Sequence, residues 1–452
     1  MSQRNLLLLL GATLVSYACY VRAEQNPYAR YLAAGFSTID RWALVDAPNE
    51  ELFNGAMHGM VKVLHDHGDK HSEFIDARQE AAYREEYDQE FGGVGIRLRL
   101  LGEPSLPTVI GLPQPGTPAF GADVRLGDRL EAVDGQATAG LDLDEVTKLV
   151  RGPVGEPVTL TLRRFGAGAP HVASIERAII NVESVLGDVR GPDGHWNFII
   201  HDEPRIGYVR IVKFGDKTAA EMASALDAID AENFAGLVID VRDDPGGSLD
   251  AAVQVCDMFL RPGLTIVTTR GRDGEAIEES LSTGAGKYVD LPLAALVDRN
   301  SASASEIVAA CLQDHGRAVV IGGRSYGKGT VQRLTRIESG RSLLKLTSAT
   351  YARPSGANIH RMPGDDLDAE WGVSPDPGFD VPQTKDEYKT WRQYRVRRDL
   401  LGEGADPQLA AELSREDGDV PADFTDQALD RAVEYLESRT SSPAPLPRDP
   451  AL

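Results

Sequence analysis

The sequence predicts a multi-domain α/β protein, and three observations carry that expectation. From about Leu186 onward strands alternate with helices, the pattern of a layered α/β architecture. Two of those strands, Ala235–Val241 and Leu291–Val297, are almost wholly apolar, as strands buried on both faces are. The chain has 452 residues, more than one small core organises, so two to three domains are expected.

Residues 1–25 come first. Arg4 precedes Leu6–Leu10, and an uncharged, mostly apolar stretch continues to Val21. The stretch is long for the apolar region of a secretion signal and slightly short for a spanning helix. Tyr20-Val21-Arg22-Ala23 makes a poor cleavage site, and Tyr17 is bulky for a lipoprotein site at Cys19. An uncleaved membrane anchor is therefore slightly preferred over a removed signal peptide. On either reading the body is exported, to the periplasm or another extracytoplasmic space, and the segment offers association with the inner membrane. Residues 26–87 read as a helical region, with apolar positions at helical spacing through Ala43–Leu64.

The unit at residues 88–168 opens with Gly92-Gly93-Val94-Gly95-Ile96. A strand Thr108–Leu112 follows, then Val124–Val133 with Gly127-Asp128 inside it, and a turn at Asp134-Gly135. A helix Asp142–Val150 and a strand Val158–Arg164 close the unit. Residues 169–385 carry the alternating core, with a strand Ile206–Val212, a helix Ala219–Ile229 and the strand Ala235–Val241. Arg242-Asp243-Asp244-Pro245-Gly246-Gly247-Ser248 then leads to a helix from about Leu249 to Phe259. Residues 386–452 read as a charged extension with one amphipathic helix, Asp426–Leu436, and a disordered end from Ser441.

Composition narrows the partners. A formal net charge of −22 without a long basic block argues against nucleic acid and against adsorption to anionic lipid. Cys19, Cys256 and Cys311 show no metal or redox spacing, and no HExxH pattern occurs, so neither metal nor cofactor is implied.

The chemistry concentrates in Asp298–Gln332. Ser301-Ala302-Ser303-Ala304-Ser305 opens a helix whose apolar stripe is Ile307, Val308, Cys311 and Leu312. A buried strand Ala318–Ile321, a glycine-rich turn bearing Lys328, and an alternating segment Thr330–Leu334 follow. Gly323-Arg324-Ser325-Tyr326-Gly327 matches the G-x-S-x-G nucleophile elbow, but an elbow needs a helix directly after its serine. Gly322–Lys328 matches a phosphate loop, but Gly329 stands where the Mg²⁺-binding Ser or Thr belongs. His315 ends the helix that Ser303 begins, roughly three turns away, and suits a C-cap better than a base.

A Ser–Lys pair fits better. Free N–H groups at a helix start favour negative charge developing at Ser303. Lys328, kept neutral by burial, would take the serine's proton. Gly246-Gly247 offers backbone N–H donors for an oxyanion. The same residues read equally well as an N-cap cluster and a solvated loop lysine, and the residues alone leave both open.

Two resemblances bear on the choice. The order of glycine loop, strands, LGDRLEAVDG, helix and strand resembles a PDZ domain of the bacterial protease type. That resemblance implies a peptide's terminal carboxylate held by the backbone of Gly92, Gly93, Val94, Gly95 and Ile96, with Val146, Leu149 and Val150 as groove wall. Over roughly residues 30–380 the chain resembles the carboxyl-terminal processing peptidases, or tail-specific proteases. The blocks are Gly68–Asp76, VIDVRDDPGG, SASASEI…GRSYGKGTVQ, ATYARPSGANI at Ala349–Ile359, and WGVSPD at Trp371–Asp376.

This family resemblance implies an α/β core of crotonase/ClpP-like fold with an inserted PDZ domain and an N-terminal helical region. It implies Ser303 as nucleophile, Lys328 as base 25 residues on, and Gln332 orienting the lysine. The oxyanion donors would be the N–H of Ala304 and of one glycine of Gly246-Gly247. Implied partners are proteins or peptides with accessible C-termini, without a cofactor; a homo-oligomer is compatible with the sequence. The chain departs from the family in having Asp243-Asp244 before Pro-Gly-Gly, where two asparagines or Asp-Asn are common. Such an extra carboxylate would raise the lysine's pKa. Ser325-Tyr326 replaces the usual Thr-Phe or Ser-Phe. The alternative reading is an inactive peptidase-like scaffold that binds C-termini; joint retention of Ser303, Lys328 and Gln332 counts against it.

Overall fold

Four strands run parallel in one sheet: β1 Arg205–Ile211, β2 Gly236–Asp240, β3 Leu293–Val297 and β4 Ala318–Gly322, paired in that order. β2, β3 and β4 are buried at every residue, which is why their sequences are apolar except for Asp240, whose charge is paired with Arg242. Helices α1 Thr218–Asp230, α2 Leu249–Asp257 and α3 Ala304–Asp314 cover one face through Leu226, Val255 and Val308. Two further helices are α4 Lys385–Leu401 and α5 Gln427–Thr440; α5 closes the opposite face through Ala428, Ala432 and Leu436.

The computed structural model describes residues 13, 26–102, 105–164, 166, 168–362, 364, 369–402, 406, 408–411 and 420–440. The anchor or leader expected at 1–25, Thr13 apart, and the disordered end expected from Ser441 lie outside them. Among the described residues no helix is long and apolar enough to cross a membrane. The chain divides into two compact units, one holding residues up to Glu80 with Arg333–Leu346 and the other the remainder.

In the first unit, helices Pro27–Trp42 and Asn49–Asp66 are separate, so the helix expected to run through Ala43–Leu64 is broken. Ala43 is extended, and Pro48 at the N-cap of the second helix disfavours a helical residue before it. A short strand Glu73–Ile75, absent from the sequence reading, pairs with Leu343–Lys345 over Met57, Val61 and Phe74.

In the second unit, residues 98–176 form an antiparallel sheet in the order Leu98–Leu101, Leu106–Val109, Arg129–Val133, Pro157–Arg163, His171–Glu176. Helix Leu143–Val150 starts from a reciprocal Asp142–Glu145 capping box and closes over Val109, Leu130 and Leu160. The strand expected over Val124–Val133 begins only at Arg129, because Asp128 turns back to accept the Arg125 N–H at 2.9 Å.

The sequence reading placed one helix past Pro382, and the described residues add α4 before it. α4 is masked in the sequence because its buried residues, Trp391, Arg395, Leu400 and Leu401, include a charge. Arg395 is held by Asp188 at 2.9 Å and Asp399 at 3.2 Å. Both helices are tied to the end of β2 through Arg242, whose guanidinium reaches Asp240 at 2.7 Å and Asp426 at 2.8 Å. It also lies 4.6 Å from the Trp391 ring centre, and the Trp391 indole donates to Asp426 at 3.0 Å. Arg242→Ala would leave two buried carboxylates without their cation. A loss of about 3–5 kcal/mol is expected from urea unfolding, and an unmoved midpoint would contradict this role.

Candidate active site

Beyond β3 the chain turns through Asp298–Ala302 into α3. Asp298 Oδ1 accepts the N–H groups of Asn300 at 2.9 Å, Ser301 at 3.1 Å and Asp243 at 3.1 Å, which stitches the ends of β2 and β3 together. The Ser301 hydroxyl donates to the Val241 carbonyl at 2.7 Å, and that of Ser305 to the Asp244 carbonyl at 3.1 Å. Both serines are fully buried struts. Ser303 differs from them: it is only half-buried and lies at φ 58°, ψ −116°, just before α3. A left-handed φ at a non-glycine residue costs about 1–3 kcal/mol and persists where its surroundings enforce it. Geometry thus separates three serines that the sequence leaves alike.

Glu306 supplies that enforcement. Its buried carboxylate accepts the N–H of Ser303 and of Lys328, both on Oε2 and both at 2.8 Å. Oε1 accepts the Gly327 N–H at 2.7 Å and the Ser325 hydroxyl at 2.5 Å. The start of α3 and the lysine turn are therefore fixed to one side chain. Burial pushes the Glu306 pKa up, and the four donors pull against that shift. Ser325 also accepts the Val373 N–H at 2.7 Å, and a strand, Thr330–Ile337, follows its turn, so it is a buried strut and no elbow.

Lys328 is half-buried. Tyr351, itself buried, donates its hydroxyl to the Lys328 carbonyl and hydrogen-bonds the Ser303 side chain. Burial, with the Glu306 charge, pushes the Tyr351 phenol well above its ordinary pKa. The Gln332 amide nitrogen donates to the hydroxyls of Thr330 at 3.0 Å and Thr347 at 3.5 Å. Sequence reasoning missed both Glu306 and Tyr351. Ser303-x-x-Glu306 has capping-box spacing and was legible; Tyr351 carries no local signal, since only the tertiary fold brings its strand to Ser303.

The turn after β2 lies against the nucleophile candidate. Gly246 and Gly247 have φ +89° and +150°; a Cβ on the first would stand 2.8 Å from Ser303 Cβ and from the Ala304 nitrogen, and one on the second 1.9 Å from the Phe214 oxygen. The Gly246 N–H is already given to Asp244 Oδ1 at 2.8 Å, which leaves Gly247 as the oxyanion candidate of the pair.

The five residues of the glycine loop do not share one environment. Gly92 and Gly93 pair with Ile179 and Ala178 in a ladder, and the carbonyl of buried Val94 accepts the Ala119 N–H at 2.8 Å. Gly95 and Ile96 line a cavity of about 510 Å³ together with Arg97, Ile110 and Arg190. Of the expected groove wall, Val146 and Val150 are one turn apart on the face that fills the sheet's core, while Leu149 is half-buried at its margin. Among the described residues no group of three or more His, Cys, Asp or Glu side chains is arranged to hold a metal ion.

Comparison with known proteins agrees with this architecture. Residues 205–377, which hold β1 to β4 and the three segments around Ser303, match the model of peptidase family S41, and residues 109–164 match that of the PDZ domain. The chain is 33% identical over 451 residues to a carboxy-terminal-processing protease of Bartonella bacilliformis, covering 98% of this chain and 96% of that protein. It is 32% identical over 336 residues to a probable CtpA-like serine protease of Staphylococcus aureus, covering 74% of this chain and 61% of that one. Among solved structures, the photosystem II D1 C-terminal processing protease is similar at 27% identity and a TM-score of 0.40, over 78% of this chain and 92% of that one. The two family matches and the full-length relative define a serine-type peptidase of family S41 with a PDZ domain. Within that class the chain belongs to the carboxy-terminal-processing protease family.

Glu306→Ala would leave four buried donors without an acceptor. Glu306→Gln leaves at least one N–H unmet, since its NH₂ faces either the Ser303 and Lys328 N–H groups or the Gly327 N–H whichever way the amide is turned. Each variant is expected to lose at least about 2 kcal/mol by chemical denaturation. A glutamine variant as stable as the parent would contradict the arrangement.

Proposed function

We propose that the chain is an exported endopeptidase that cleaves proteins recognised by their C-termini, using Ser303, Lys328 and Gln332. The observation that carries this reading is the single Glu306 oxygen accepting both the Ser303 and the Lys328 N–H, with Ser303 the strained, less buried serine of its run. The Ser303 hydroxyl attacks the scissile carbonyl and Lys328 takes its proton. The Ala304 and Gly247 N–H groups meet the developing oxyanion, aided by the field of α3. Lys328 then protonates the leaving amine, and water repeats the cycle on the acyl-enzyme. Gln332, whose amide nitrogen is occupied by threonine hydroxyls, has its oxygen to offer the lysine.

The glycine loop is the proposed receptor for the substrate's carboxylate, with Gly95 and Ile96 supplying its open half. The PDZ match begins at residue 109, beyond the loop, so the loop's role rests on its own geometry and on the motif order. Export rests on the apolar N-terminal segment and on kinship with bacterial proteases of this type.

Ser303→Ala and Lys328→Ala are each expected to abolish cleavage of an unstructured protein with an apolar C-terminus while leaving the unfolding midpoint within error. Full activity in either variant would remove the assignment. Amidating the substrate's C-terminus is expected to weaken cleavage chiefly through KM; an unchanged KM would remove carboxylate capture.

A further inference from the structure

Asp244 lies between the oxyanion turn and the nucleophile, and nothing in the peptidase chemistry uses it. It is fully buried. Oδ1 accepts the Gly246 N–H at 2.8 Å, while Oδ2, also buried, has no well-aligned hydrogen-bond partner among the described residues, the nearby Ser305 hydroxyl being given to the backbone carbonyl. Its backbone carbonyl accepts the Ala302 N–H at 3.0 Å and the Ser305 hydroxyl at 3.1 Å, so the residue clasps the Ser301–Ser305 run from both sides of Ser303. A buried carboxylate with one oxygen unpaired is costly, whereas a carboxylic acid there carries no charge and has a single O–H to place, with the Ser305 hydroxyl beside the group. A neutral acid also has the shape of asparagine.

We propose that Asp244 is carried as the neutral acid and in that form is a positioning residue, holding the Gly246-Gly247 turn against Ser303 so that the Gly247 N–H faces the oxyanion. This inference rests on the Ser303–Lys328 reading of the site. The charged groups that face Asp244 are Asp243 on its own loop and Lys213 beyond β1. Burial is the main influence and pushes the Asp244 pKa well up; the Gly246 N–H and the Ser305 hydroxyl oppose it, Asp243 adds to it, and Lys213 opposes it.

Ionisation of Asp244 would force the buried charge to seek water and would spoil the turn, so activity falls as pH rises through its native-state pKa. The sign of the stability effect follows from linkage. Above about pH 4 the unfolded chain has lost this proton and the native state still holds it, so stability falls as pH rises toward the native-state pKa. Asp244→Asn removes that fall.

The test uses the full-length enzyme as wild type, Asp244→Asn and Asp244→Ala, with Ser303→Ala as a control for the peptidase reading. The infrared difference between wild type and Asp244→Asn at neutral pH is expected to contain the carbonyl stretch of a protonated carboxylic acid. Asp244→Asn should keep kcat within about threefold and stay active at alkaline pH where the wild type declines, while Asp244→Ala loses about 10²-fold in kcat. The stability gain of Asp244→Asn should be absent near pH 4 and grow as pH rises. A carboxylate band in place of the acid, or an asparagine variant as impaired as the alanine one, would overturn the proposal. An active Ser303→Ala enzyme would instead overturn the reading beneath it.

Discussion

Four donors drawn from two segments converge on the two oxygens of Glu306, and the candidate site depends on that convergence. A serine at a left-handed φ is unfavourable by itself, and a glycine-flanked lysine turn has many conformations open to it. Each is fixed by the same buried carboxylate, which accepts the N–H of Ser303 and of Lys328 on one atom. Burial raises the energy of that charge, and the four short bonds offset it. The arrangement is costly to build and correspondingly specific.

The sheet explains why these segments meet. β2, β3 and β4 are adjacent and parallel, so their C-terminal ends lie side by side. β2 leads to Gly246-Gly247, β3 to Ser303 and β4 to Lys328, which puts oxyanion turn, serine and lysine along one edge. Open α/β sheets place their sites at the carboxyl ends of strands for this reason. Arg242, with Asp240, Asp426 and Trp391, anchors the first of these strand ends from behind. The helices past Pro382 thereby belong to the support of the site, although their sequence is charged.

Much of this was legible in the residues. Continuous apolar runs identified the buried strands, and the alternation of strand and helix identified the layered core. The break at Pro48 was in the sequence, but helical spacing on either side of it concealed the interruption. α4 stayed hidden because Arg395 and Arg398 serve buried and half-buried ion pairs that only the fold supplies. At the site, spacing singled out a serine cluster and a lysine without ranking Ser301, Ser303 and Ser305. The ranking came from tertiary hydrogen bonds that engage the outer two. Glu306 had the spacing of a cap, yet its second role, receiving Gly327 and Lys328, depends on a segment that no local pattern connects to it.

The central claim is that Ser303 is the atom donor that becomes acylated. An activated peptide ester, for which acylation outruns hydrolysis, can be mixed with the enzyme, quenched in acid and digested for mass spectrometry. The account predicts the acyl group on the peptide containing Ser303 and none in Lys328→Ala over the same interval. An adduct on Ser325, Ser301 or Ser305 in its place would contradict it.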